Sequence, residues 1–209
     1  MKNGTATRTK LLDAACDVMR AKGYAATSVD DICAAAGVTK GSFFHHFATK
    51  EQLGIAAVEQ FGAMADGLFT SASYHKAGDP LQRLLSYVDF RSAMMSGEIA
   101  QFSCLMGTLA QEVYATHPEL RATCERVLAD HVAGLLHDIE AARQRYVPDA
   151  TWTAESLGNF MQAVLQGAFI LAKAKQGPEV AIASLSHLRR YLELLFNQAA
   201  GNSLPGTPR

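Results

Sequence analysis

The sequence lacks any uninterrupted apolar run that approaches the roughly 20 residues needed to span a bilayer. No apolar segment of the kind found in signal peptides follows its first residues. Its four cysteines lie far apart, without the paired spacing of a disulfide framework or a zinc site. These absences predict a soluble, cytoplasmic protein with reduced thiols, no metal and no cofactor.

Catalytic motifs are absent as well: there is no nucleophile elbow, no phosphate-cradling glycine loop and no His-Glu-x-x-His pair. His131 and His137 fall on different faces of a helix, so their spacing does not suit a metal site. The enzymatic alternative uses Cys104 or Cys124 as a nucleophile with a histidine base, and no motif supports it. We therefore predict no catalytic residues.

Charge is nearly balanced over the chain, at −1, but it is unevenly distributed. The first 50 residues hold seven Lys or Arg against four acidic residues, whereas the rest holds twelve against sixteen. A basic end on an acidic body orients a molecule towards a phosphate backbone. This distribution favours a nucleic-acid partner.

The predicted fold class is all-α, because apolar residues recur every three or four positions and no segment alternates like a strand. We expect a helix-turn-helix head at 1–50, a C-terminal ligand-binding and dimerisation body at 51–200, and a flexible tail at 201–209. The first helix is expected at about 9–22 and the last at about 179–198. Capping signals predict further helix starts at Ser28, Thr39, Thr49, Asp79, Thr116 and Thr153.

Two short helices joined by a glycine turn define the head. Gly37 supplies the positive φ of the turn, and the following helix is expected over 39–47. Phe43 and Phe47 point back at the other helices, which leaves a short, polar outer face suited to a major groove. Gly41 costs about 1 kcal/mol inside a helix relative to Ala, a cost that close approach of the backbone to DNA would explain.

Chemistry sorts the residues of the head by role. Lys40 is the candidate base reader, since a flexible ammonium reaches guanine acceptors, and Thr39 or Ser42 adds hydroxyl contacts. Arg8, in an expected leading arm, is a backbone or minor-groove candidate. Hydroxyls at helix N-termini and basic side chains are predicted to contact phosphates: Thr27, Ser28, His46 and Lys50. The predicted DNA-binding set is Thr27, Ser28, Thr39, Lys40, Ser42, Phe44, His45, His46 and Lys50.

The run from Thr27 to Leu53, preceded by Gly23-Tyr24, resembles the head of a TetR/AcrR-type regulator. The resemblance implies a homodimeric, all-helical regulator whose larger C-terminal body binds a small molecule that usually releases repression. In that family a Tyr most often stands where this chain has Phe44, and its hydroxyl commonly contacts the DNA backbone. Phe44 lacks that hydroxyl.

The body offers apolar side chains and a few polar groups that either line an effector cavity or simply fill a core. The segment 102–112 is similar to a Gly-Cys-Leu…Gly-Asn-Leu…Glu run of one family branch, some members of which respond to electrophiles. Cys104 is therefore a candidate sensor, with an inert core thiol as the alternative. The predicted ligand-binding set is Phe61, Met64, Phe90, Met94, Phe102, Cys104 and Gln111.

An apolar stripe precedes the last helix, and a second stripe lies on the last helix itself. Paired with the same stripes of a second copy, they predict a four-helix dimer interface, although each stripe suits the core of its own chain equally well. The predicted dimer set is Leu157, Phe160, Met161, Val164, Leu165, Ala168 and Phe169.

Together these features predict a DNA-binding transcriptional regulator. We expect a repressor that a small-molecule effector, of which an electrophile is one candidate class, releases from a palindromic operator. Its expected partners are double-stranded DNA, the effector and a second copy of the chain, with no membrane. The alternative is a helical adaptor that does not bind DNA.

Overall fold

The computed structural model describes residues 2–197, with side chains described from Thr5 onwards. Within that range the fold is all-helical, as predicted, and a single 3-10 turn at Ser73–Lys76 accompanies the α-helices. The tail predicted at 201–209 lies outside the described residues. The helices are α1 (Lys2–Lys22), α2 (Val29–Ala36), α3 (Lys40–His46), α4 (Lys50–Thr70), α5 (Pro80–Ala93), α6 (Ile99–Phe102), α7 (Leu105–Val113), α8 (Pro118–Tyr146), α9 (Ala154–Lys175) and α10 (Glu179–Asn197).

Side-chain caps fix most of the predicted helix starts. Ser28, Thr39, Asp79 and Thr153 each precede a helix and accept a hydrogen bond from the backbone N–H three residues further on. Such a cap satisfies an N–H that has no partner within the helix. Gly37 ends α2 in the left-handed conformation at φ 64°. Short polar residues therefore divide the chain into the predicted helices.

The first helix is longer than predicted. It begins at Lys2 rather than near Thr9, so Arg8 belongs to the helix and not to a leading arm. The Thr9 hydroxyl donates to the Thr5 carbonyl one turn back, and the Arg8 guanidinium lies 5.3 Å from the centroid of the Phe47 ring. Apolar periodicity begins only at Leu11, because the preceding turns bury little apolar surface.

The chain forms two compact units. The first unit comprises residues up to Thr70 and Gly97–Asp130, and the second comprises Ser71–Ser96 together with the chain from His131 onwards. The core of the first unit mixes the head with later helices, through Leu11, Met19, Ile32, Phe43, Leu53, Leu105, Leu109 and Leu120. Neither unit ends at residue 50, and the assignment of functions to 1–50 and 51–200 stays a prediction.

In the second unit α10 packs against both α9 and α5. Five of the seven predicted dimer residues are buried within a single chain, which corrects their assignment to an interface: Leu157, Met161, Leu165, Ala168 and Phe169. The stripe therefore faces its own core, the alternative that the sequence left open. No helix among the described residues is long and apolar enough to cross a membrane.

Candidate nucleic-acid interface

The helix-turn-helix is built by reciprocal caps. Ser28 Oγ accepts the Asp31 N–H at 3.1 Å, while the Asp31 carboxylate accepts the Ser28 N–H at 2.8 Å. The backbone turns at Gly37, and Thr39 Oγ1 then accepts the Ser42 N–H at 3.2 Å. These hydrogen bonds fix where α2 and α3 start, and hence which face of α3 points outwards.

One face of α3 is anchored in the core, and the other is open to solvent. Phe43 is fully buried and Phe47 nearly so, as predicted from their spacing. Lys40, Phe44 and His45 are exposed. Ser42 and His46 are half-buried, and Thr39 is exposed beside Ser42, with the two hydroxyl oxygens 3.3 Å apart. Most of the predicted reading residues thus lie on α3 or at its N-cap.

Each of the two acidic residues in the first turn of α2 forms an ion pair with a lysine. Lys40 Nζ lies 2.8 Å from Asp30 Oδ1, and Lys22 Nζ lies 2.8 Å from Asp31 Oδ2. The hydrogen bond to Asp30 raises the pKa of Lys40, so this ammonium is charged. Hydrogen bonds from Lys22 and Ser28 hold the pKa of Asp31 well below its usual range. The candidate base reader thus has an intramolecular partner in the DNA-free chain.

Gly41 is not required by the fold of the chain. A Cβ built at this position meets only Thr39 Oγ1, at 3.7 Å, which is an ordinary van der Waals contact. Its backbone is helical, and it is absent from the positions with positive φ. The cost of a glycine inside this helix therefore has no compensation within the chain.

Lys50 and Thr27 have a different role from the predicted one. Lys50 Nζ donates to the carbonyl oxygens of Tyr24 and Thr27, at 2.9 Å each, and lies 4.2 Å from the Tyr24 ring centroid. Thr27 is buried, and its hydroxyl donates to the Gly23 carbonyl. In this conformation both side chains stabilise the turn between α1 and α2, because their polar atoms are directed into it.

Two family models match the chain, and together they cover the head and most of the rest. Residues 11–57 match the model "Bacterial regulatory proteins, tetR family", and residues 80–188 match "Tetracyclin repressor-like, C-terminal domain". The second match alone spans more than half of the chain. The chain belongs to the TetR family.

Named transcriptional regulators are similar to this chain along most of its length. The transcriptional regulator AcuR of Cereibacter sphaeroides is 30% identical over 81% of this chain and 77% of its own length. The HTH-type transcriptional repressor DhaR of Mycobacterium sp. strain GP1 is 26% identical over 84% and 86%. A regulatory protein TetR from Rhodobacter sphaeroides has a crystal structure that matches with a TM-score of 0.77 and 26% identity, over 88% and 97%.

Membership of the TetR family makes the chain a DNA-binding transcriptional regulator and not an enzyme. The family match at residues 11–57 includes the whole helix-turn-helix from Ser28 to Phe47. Phe44, the departure from the family pattern, is 57% exposed, and its ring meets the Phe43 ring edge-on with centroids 5.1 Å apart. It is therefore a surface residue of α3 and not part of the core.

The seven predicted ligand residues are not gathered within one unit. Phe61, Met64, Phe102, Cys104 and Gln111 belong to the first unit, whereas Phe90 and Met94 belong to the second. Met64 and Met94 are exposed. The Gln111 amide donates to the Gly107 carbonyl, and the Phe61 ring lies 5.3 Å from the Arg20 guanidinium. Periodicity placed these residues on helices but did not show which surfaces cover them.

Cys104 is the least buried of the four cysteines. It stands at the N-cap of α7, where its sulfur accepts the Gly107 N–H at 3.5 Å. Burial raises the pKa of Cys16 and of Cys124 to about 12, and it raises the pKa of Cys33 as well. Among the described residues, no group of three His, Cys, Asp or Glu is placed to bind a metal ion.

A polar pair in the second unit, formed by the buried Tyr87 and the half-buried His131, was not predicted. The Tyr87 hydroxyl and His131 Nε2 are 2.8 Å apart, and Tyr87 is 1% exposed. Burial, together with the charge of Arg91, lowers the pKa of His131 to about 4. The Tyr74 ring packs edge-on against Tyr87, with centroids 5.5 Å apart. The periodicity of α5 and α8 marks both positions as inward-facing but does not pair them.

An exposed apolar surface on α9 and α10 was predicted only at Phe160. Helices α9 and α10 carry large hydrophobic side chains that are 40% to 57% exposed: Phe160, Ile170, Leu171, Ile182, Tyr191 and Leu194. Phe160, from the predicted dimer set, meets Tyr191 with ring centroids 5.0 Å apart, and Val164 is half-buried. We call Phe160, Leu171, Tyr191 and Leu194, which share one side of each helix, the outer apolar face. It lies on the same helices as the buried stripe but on other positions of their surfaces.

Proposed function

We propose that the protein is a homodimeric repressor that inserts α3 of each copy into successive major grooves of a palindromic operator upstream of its own gene. The observation that carries this proposal is the open face of α3, with Lys40, Phe44 and His45 exposed above a buried Phe43. A two-fold dimer reads a two-fold site, because each head contacts one half-site. Since its target is chromosomal DNA, we propose that the protein acts in the cytoplasm.

The direct test measures binding to the DNA upstream of its own gene by fluorescence anisotropy over a salt series. We expect tight binding with a steep negative slope of log affinity against log salt, since basic residues displace counterions from phosphates. Lys40→Ala is expected to weaken the free energy of operator binding by about 1–3 kcal/mol and to relax specificity at one base pair, because a base contact is lost. Lys76→Ala, an exposed lysine of the second unit, is the matched control.

A chain that binds this DNA without preference over unrelated DNA, or not at all, is not a repressor of its own gene. An adaptor without DNA-binding activity shows neither retardation nor salt dependence. Either result would overturn the proposal.

The proposed dimer interface is the outer apolar face. Monomeric soluble proteins rarely expose so many large hydrophobic side chains on adjacent helices, and two such helix pairs pack as a four-helix bundle. Leu194→Glu is expected to give a monomer in sedimentation and to abolish tight operator binding. Met64→Glu, a charge placed at an exposed apolar position of α4, is expected to leave the dimer intact.

The proposed effector site is in the second unit and includes Tyr87 and His131. Polar groups buried among aromatic side chains are typical of small-molecule sites, where a few hydrogen-bonding groups orient an otherwise apolar ligand. An effector that favours the DNA-free state lowers operator affinity, and DNA must then weaken the effector by the same factor. Cys104 stays a candidate only for effectors that are electrophiles.

The compounds to screen by thermal shift are the substrates and products of enzymes that neighbouring genes encode. A true effector raises the melting temperature of the wild type and weakens operator binding at saturation. Tyr87→Phe, which removes only the hydroxyl, is expected to reduce that shift while leaving operator affinity unchanged. A compound that saturates the protein without altering operator affinity does not release repression.

A further inference from the structure

The carboxylate of Glu112 is bound to the turn that joins α1 to the helix-turn-helix. Glu112 lies in the last turn of α7, and its Oε2 accepts the backbone N–H of Ala25 at 2.7 Å. The two residues are 87 positions apart in the sequence but belong to the same unit. A hydrogen bond to an ionised acceptor is shorter and stronger than one between neutral groups.

The turn is shaped to receive this carboxylate. Gly23 has φ +84°, and a Cβ at this position would overlap Oε1 of Glu112. Glycine is thus favoured at residue 23 for two reasons, since it adopts a positive φ without strain and it leaves room for the carboxylate. A side chain at residue 23 would displace the carboxylate and break its hydrogen bond to Ala25.

A cation holds the same turn from the other side. Lys50 Nζ donates to the carbonyls of Tyr24 and Thr27, while Glu112 accepts the N–H of Ala25. The charge of Glu112 favours the protonated form of Lys50, although burial lowers the pKa of this ammonium. The Tyr24 ring also meets the His117 ring edge-on, with centroids 4.9 Å apart. The backbone at 24–27 is therefore held by residues of α4, α7 and the segment that follows α7.

We propose that Glu112 is a positioning residue for DNA binding, which sets α2 and hence α3 by holding the turn at Gly23–Ala25 against α7. The proposal rests on the proposed function of the head. The turn leads into α2 within four residues, and α2 carries Asp30, the partner of Lys40. A shift of α7 therefore displaces the N-terminus of α2 directly.

The experiment compares Glu112→Ala and Glu112→Gln with Glu125→Gln in the full-length protein. Glu125 is an exposed glutamate of α8 in the same unit, so its substitution reproduces the change in net charge. Binding to the upstream DNA is measured over a salt series, and exchange of the Ala25 amide hydrogen is followed by NMR without DNA. The melting temperature identifies any variant that has lost its fold.

We expect Glu112→Ala to weaken operator binding about threefold to tenfold relative to Glu125→Gln, which is less than the full strength of a charge-assisted hydrogen bond because only part of its free energy acts on the position of α3. The Ala25 amide is expected to exchange faster, and the salt slope to stay unchanged because no phosphate contact is lost. Glu112→Gln, which keeps an oxygen acceptor of similar reach, is expected to fall between the two and covers the case in which the alanine variant unfolds.

The proposal is overturned if a Glu112 variant shows faster exchange at Ala25 but binds the operator as tightly as the Glu125→Gln control does. It is also overturned if the Ala25 amide exchanges at the wild-type rate, because the hydrogen bond is then unimportant to the turn. Failure of the wild-type protein to bind the upstream DNA overturns the proposed function instead, so the two failures are distinguishable.

Discussion

Lys40 and Asp30 form an ion pair across the helix-turn-helix, with Nζ and Oδ1 2.8 Å apart and both side chains more than half exposed. The cation best placed to read a base is thus paired with a carboxylate that repels phosphate. Water screens an ion pair this exposed, so it contributes little to stability, and the exchange of Asp30 for a base acceptor is inexpensive.

Asp30→Asn is expected to strengthen DNA binding by about threefold to tenfold, because Lys40 is released and a negative charge leaves the interface. Anisotropy titrations on operator and on random DNA measure the effect, and we expect both affinities to rise. Asp66→Asn on α4 controls for net charge. Equal gains in the two variants would show that Asp30 acts only through the overall charge.

Gly41→Ala is expected to change stability and DNA affinity in opposite directions. The chain has room for the methyl group, so the free energy of unfolding should rise by about 0.5–1 kcal/mol. Operator affinity should fall, because the methyl group would occupy the space in which we predict close approach of the DNA. Gly67→Ala on α4, where a Cβ meets no atom within 4 Å, should stabilise the chain and leave DNA binding intact. Unchanged affinity in Gly41→Ala would remove DNA as the reason for this glycine.

Phe44→Tyr restores the side chain most common in the family. Phe44 is 57% exposed, so the added hydroxyl is not buried. We expect operator affinity to rise by about 1 kcal/mol or less, the usual contribution of one hydrogen bond. Measurement over a panel of operator variants tests the role, since a contact to phosphate improves all of them equally. A gain confined to some variants would indicate base reading at this position.

His131 makes stability fall on acidification. Its pKa is about 4 in the folded chain and 6.5 in the reference state, so between these values the unfolded chain binds the additional proton. The free energy of unfolding should therefore decrease by about 3 kcal/mol from pH 7 to pH 4 on account of this residue alone. Urea titrations of wild type, His131→Gln and the control His187→Gln measure the difference. If the free energy of unfolding of His131→Gln depends on pH as steeply as that of the wild type, other groups cause the pH dependence.

Cys104 is expected to react with iodoacetamide before the other thiols. At pH 8 the buried Cys16 and Cys124, with pKa values of about 12, hold only about one ten-thousandth of their sulfur as thiolate. Mass spectrometry of the native protein should show Cys104 modified first, and all four cysteines should react in urea. If an electrophile abolishes operator binding while Cys104 stays unmodified, this thiol is not the sensor.

The sequence predicted the head well because each of its features is local. Ser28, Thr39 and Gly37 act within a few residues of their own position, so their capping and turn roles follow from the sequence alone. The start of α1 was missed because Lys2–Thr9 carries no apolar periodicity, although a helix extends through polar residues once it is nucleated.

Roles that depend on tertiary contacts were not predictable. The periodicity of α9 identified Leu157, Met161 and Leu165 as one face, but it does not say whether the same chain or a second copy covers that face. Lys50 and Glu112 contact backbone groups of a turn 23 to 87 residues away, which no local pattern indicates. The charge of Lys50 suggested a phosphate contact because its actual partners, two backbone carbonyls, are not visible in a sequence.

The shared core of the first unit also determines when the head can fold during synthesis of the chain. Leu105, Leu109 and Leu120 complete the core that contains the head, and Val127 is still part of it. A nascent chain that has reached residue 57 therefore displays an unfinished apolar surface. At ordinary rates of translation, about 4 to 14 s pass before the chain has been extended to Val127 and this surface can be covered. A recombinant fragment that ends at residue 57 retains that exposed surface permanently, which makes it a target for chaperones and proteases rather than a minimal DNA-binding domain.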